Sequence, residues 1–127
     1  MMPEEMNGMS SDAGDDYKVI NRSALVLEPT PEFLAWVKAM PGDPFEMTFE
    51  DFRQDSSIYL LPDDLEGSGA WLRRNFKPIL LQELFNRCMD DSLWPKDLGF
   101  KTFCRFFKPR FQAVVVDLGK GPIKPDF

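Results

Sequence analysis

The chain has 127 residues, 43% hydrophobic and 13% aromatic, enough for one domain with a real core. Twelve Phe and three Trp supply large apolar area, so neither disulfides nor a metal is required for stability. Histidine is absent, which removes Ser-His-Asp and Cys-His catalysis, the commonest general base and most zinc sites.

The net charge of −6 is unevenly spread. Residues 1–66 carry fifteen acids against four bases, and residues 67–127 carry six against eleven. Such asymmetry suits either a basic face for an anionic partner or two halves that neutralise each other on packing. The overall sign opposes nucleic-acid binding. Cys88 and Cys104 are too far apart for a CxxC motif and read as small buried hydrophobes. No apolar run reaches membrane-spanning length, and Met1-Met2-Pro3-Glu4-Glu5 has no signal-peptide features. The expectation is a soluble, cytoplasmic chain without membrane association.

Residues 1–17 combine Met, Gly, Ser, Asp and Glu and predict a disordered acidic tail. A single globular domain is expected over 18–118, followed by a flexible tail over 119–127. The first strand is predicted over 19–28 and ends at Pro29. Thr30 is a good N-cap with Pro31 at the first helical position. Phe33, Trp36, Val37 and Met40 then recur at offsets 0, 3, 4 and 7. Pro41-Gly42 stops that helix. Thr48 and Asp51 have capping-box spacing around a short helix carrying Phe49 and Phe52. Ile58-Tyr59-Leu60-Leu61 predicts a second strand closed by Pro62.

Asp63-Asp64-Leu65-Glu66 gives the next helical region an acidic start. The helical pattern runs over 70–89, with Phe76, Leu80, Leu84 and Cys88 in one i, i+4 row. Pro78 inside it predicts a kink or a split at Lys77. Phe100, Phe103, Cys104 and Phe107 then predict a helix terminated by Pro109. A third strand is expected over 111–118, its Val114-Val115-Val116 run suggesting burial on both faces. The predicted fold class is α/β: a small three-stranded parallel or mixed sheet, one layer deep, covered by about four helices.

A spaced set of residues resembles a family of short bacterial proteins with no assigned activity. It comprises Asn21-Arg22-Ser23, Phe33-Leu34 with Trp36, Tyr59-Leu60 with Pro62, Asp91 with Leu93-Trp94-Pro95, Phe100 with Phe103, and Asp117-Leu118. The match spans Val19 to Leu118. The acidic preface, Gly67-Ser68-Gly69 and Pro78 are departures. The resemblance implies a bacterial cytoplasmic setting and contributes no functional residues.

No catalytic residue is assigned. The leading expectation is a non-catalytic interaction or regulatory module with a protein partner. Its surface would include Trp94, in a loop, and Phe106, off the tightest apolar stripe, beside Lys101 and Arg105. The competing reading tucks Trp94 over the core and leaves the cations as a solvated face. Those cations beside an aromatic also suit single-stranded nucleic acid, a weaker alternative. The rival class is a divalent-metal enzyme. Glu28, Asp63, Asp64 and Asp117 follow or end the three strands and would meet at one sheet edge if all ran parallel. There they could hold Mg²⁺ or Mn²⁺. Otherwise no cofactor is expected. Arg22 and Ser23 are a weak anion-binding candidate, against the reading of a polar stretch on an edge strand.

Overall fold

The computed structural model describes residues 18–40, 48–62 and 68–126. The predicted acidic tail, Asp63 and Asp64 lie outside the described residues. Among those described the chain runs β1 (Lys18–Val19), β2 (Arg22–Pro29), α1 (Pro31–Lys38), α2 (Phe49–Arg53), β3 (Ser57–Pro62) and α3 (Ser68–Arg87). A 3₁₀ turn (Asp91–Leu93), α4 (Phe100–Phe106), β4 (Phe107–Gln112) and β5 (Val116–Asp117) complete it. The α/β class with a small sheet is as expected from the sequence.

Strand direction is not as expected. The main sheet has the order β3-β2-β4, with both pairings antiparallel. The cause is the number of helices in the first connection. Two short helices, α1 and α2, leave the end of β2 and return the chain to the same end, setting Ser57 opposite Leu27. A single crossover helix would have carried it back to the start. The 20-residue α3 does make that crossover, so β3 and β4 run parallel to each other with β2 between them. β2 is therefore the central strand, which corrects the reading of Arg22 and Ser23 as part of an edge.

The third strand begins four residues earlier than predicted. α4 ends at Phe106 and β4 starts at Phe107, so Pro109 sits inside a strand rather than after a helix. An edge strand tolerates the missing N–H. The predicted length of strand is then divided. β1 pairs with β5, and Ile20 N–H donates to the Val115 carbonyl at 2.9 Å. Relative to the β2·β4 ladder this pairing slips by one residue, as at a β-bulge. Val114 (68% exposed) and Val116 are open to solvent, correcting their expected two-sided burial. None of the ribbon's residues belongs to the core cluster.

The helices gather on one face of the main sheet. Leu25, Leu27, Leu61 and Phe107 point from the strands into a core shared with Phe33, Phe52, Leu80, Leu84 and Phe103. The predicted caps form: Thr30 Oγ1 accepts from Phe33 N–H, and Thr48 and Asp51 bond reciprocally. α3 runs continuously through Pro78, without the predicted split at Lys77. Cys88 is half-buried and Cys104 exposed, so only the first approaches the buried role expected.

Candidate interaction surface

Side chains alternate across a strand, so the residues that do not enter the core line the opposite face. On β2 these are Arg22, Ala24, Val26 and Glu28; on β3, Ile58 and Leu60; on β4, Lys108, Arg110 and Gln112. Register sets them in rows: Leu60–Ala24–Gln112, Ile58–Val26–Arg110, and Glu28–Lys108. None of them belongs to the core cluster. Ile58 is 64% exposed and Leu60 46%. The face thus has an apolar half on β3 and β2 and a basic margin on β4.

Among the described residues, the one acid on that face is ion-paired. Glu28 lies between Arg110 Nε at 3.3 Å and Arg53 Nε at 3.8 Å. Beside it is a cleft of about 400 Å³ lined by Glu28, Pro29, Thr30, Pro31, Phe49, Arg53 and Lys108. The Thr30 hydroxyl is committed, accepting from Phe33 N–H and donating to the Arg105 carbonyl. The cleft therefore offers paired charges and a half-buried Phe49, with no activated nucleophile among its lining residues.

Glu28 is separated from the other strand ends of the proposed carboxylate set, because antiparallel pairing places the end of β2 beside the starts of β3 and β4. Asp63 and Asp64 lie outside the described residues. Asp117 lies in the separate β1·β5 ribbon opposite Lys18, and its Oδ1 accepts from Gly119 N–H. Among the described residues no three His, Cys, Asp or Glu gather as a cation site. Arg22 donates to the Asn21 carbonyl and Ser23 to the Pro62 carbonyl, so both have local acceptors at the sheet's end.

The aromatic candidates divide. Phe106 is 3% exposed, with its ring 5.2 Å from Phe33 and 6.0 Å from Trp36. That corrects its expected exposure: the helix ends there, and the turn into β4 folds the ring inward. Trp94 is half-buried against the core, and its indole N–H donates to the Cys88 carbonyl at 2.8 Å. Asp90 shapes this return by capping the 3₁₀ turn. Hydrogen bonds from the Ser92 hydroxyl and backbone N–H hold its carboxyl below the usual range. Lys101 and Arg105 are exposed, and Arg105 pairs with Glu32 at 3.4 Å.

Ile58 and Leu60 were not singled out in the sequence because an apolar run such as Ile58–Leu61 reads as two-sided burial. The number of helices was expected; what the sequence did not show is that those described all pack on one face. Among the described residues no helix is long and apolar enough to cross a membrane. Comparisons with protein-family models, with curated proteins and with solved structures find no match to this chain.

Proposed function

We propose that this chain is a non-catalytic protein–protein interaction or regulatory module of the bacterial cytoplasm, akin to the short bacterial proteins that its spaced motifs resemble. One observation carries the proposal: the face of the sheet that no described helix covers exposes Ile58 and Leu60 next to Val26 and the buried Ala24, with Lys108 and Arg110 along one margin. Covering each branched side chain at such exposure contributes roughly 1–2 kcal/mol to association. The cationic margin adds orientation and encounter rate for an acidic partner. Trp94 is not part of this face: it packs against the core, with its indole N–H on the Cys88 carbonyl.

The test is parallel capture with wild type and the double variant Ile58→Lys, Leu60→Lys, followed by reconstitution with whichever purified protein is retained. Both positions are exposed, so the variant should keep its circular dichroism spectrum. A protein held by wild type and released by the variant supports the proposal. Identical capture by both overturns it.

A further inference from the structure

The two edges of the main sheet are built differently. β4 carries Lys108, Pro109 and Arg110 at its centre, two cations and a residue without an N–H. These are the features that keep an exposed strand from pairing with another chain. β3 reads Ser57-Ile58-Tyr59-Leu60-Leu61-Pro62: no charge, no bulge, and a proline only at its last position. Among the described residues its backbone bonds to β2 alone, leaving its other side unpaired.

We propose that β3 pairs antiparallel with β3 of a second copy, joining two three-stranded sheets into one of six strands. A two-fold axis through such a seam makes the contact self-complementary. Side-chain parity restricts the register, because residues opposite one another must share a face. A register centred on Tyr59 sets Ile58 opposite Leu60 of the second copy, and Ser57 opposite its Leu61. The exposed Ile58 and Leu60 of both copies then form one apolar block at the middle of the open face.

The self-complementary register selects this occupant, and charge favours this edge over β4. Residues 57–62 are uncharged, although Asp55 precedes and Asp63-Asp64 follow them in sequence, while Lys108 and Arg110 of each copy lie beyond β2, on the far edges of the joined sheet. Pairing through β4 would instead bring Lys108 and Arg110 of both copies together, offset only by the Glu28 that each Arg110 holds. Each whole chain carries −6, so added salt screens the residual repulsion between copies and should not weaken the seam.

The proposal rests on the same exposed residues as the interaction reading, and its test separates the two. Sedimentation of the full chain from low to high micromolar concentration should show the mass rising from 14.7 kDa to twice that value. Amide exchange over 57–62 should slow in step, at the alternate N–H groups that do not donate to β2. The Ile58→Lys, Leu60→Lys variant should stay monomeric with those amides unprotected. A constant monomer mass overturns the proposal, as does a dimer whose β3 amides exchange freely. A monomer that still captures a partner through Ile58 and Leu60 ends the dimer proposal and leaves the interaction module standing. A β3-paired dimer that captures no other protein does the reverse.

Discussion

The phenol of Tyr59 donates to the Oε2 atom of Glu83, joining the centre of the edge strand β3 to the long helix α3. Glu83 is only 8% exposed, so this bond satisfies a carboxylate that the fold has removed from water. Tyr59→Phe leaves that group without its donor and should cost about 1–3 kcal/mol in urea unfolding. An unchanged midpoint would show that water serves Glu83 equally well. The same pair sets an alkaline limit. Burial first, then the hydrogen bond and the charge of Glu83, raise the Tyr59 pKa above its ordinary 10.0. The folded state therefore holds a proton that the unfolded chain releases. Stability from this group is complete below pH 10 and falls as pH rises beyond it. Tyr59→Phe should flatten that alkaline decline; equal slopes in both proteins would refute the assignment.

Trp94 tests whether the Leu93-Trp94-Pro95 turn is structural. Its ring packs on the core and its N–H is engaged by Cys88. Trp94→Phe keeps an aromatic ring but removes the donor and some packing, and should cost about 1–2 kcal/mol. Trp94→Ala also removes packing and should cost roughly 2–4 kcal/mol, less than a fully buried aromatic. Equal stability of the alanine variant and wild type would return Trp94 to the list of free surface aromatics.

Phe106 and Ile58 should behave oppositely. Phe106→Ala empties a site bounded by Phe33, Trp36 and Phe107 and should cost roughly 3–5 kcal/mol. Ile58→Ala alters a side chain that is 64% exposed and should change stability by less than about 0.5 kcal/mol in either direction. Thermal melts of the two variants under identical conditions decide the matter. A mild Phe106 variant would contradict the burial of that ring.

What the sequence made legible was local. Thr30-Pro31 and the Thr48/Asp51 pair marked two helix starts because capping is chemistry between neighbours. The strands around Leu25 and Tyr59 followed from apolar content. Direction did not: both helices between β2 and β3 were expected, but local spacing does not say that such a pair returns the chain to the strand end it left. Phe107 fits offset 7 of the preceding helix as well as the first position of a strand, and that ambiguity displaced β4. The all-parallel premise, which would have brought Glu28 to the other strand-end carboxylates, failed with the direction of β2. The open face was hidden for a related reason: Ile58, Leu60 and Leu61 look alike in sequence, yet only Leu61 meets a helix layer.

Pro78 is the clearest conflict between sequence and fold. α3 stays helical from Ser68 to Arg87 although Pro78 has no N–H for the Arg74 carbonyl. The proline is exposed, so its ring adds little packing to offset that loss. Neighbouring Ile79, Leu80, Glu83 and Leu84 are buried, and their burial holds the helix in register across the defect. Pro78→Ala restores a donor and a strong helix former. The unfolded chain gains entropy from the same change, which offsets up to about 1 kcal/mol. A net stabilisation of roughly 1–2 kcal/mol is expected. The measurement is the shift in urea midpoint at constant slope. A lower midpoint would mean that Pro78 itself helps to seat Leu72 and Leu84 in the core.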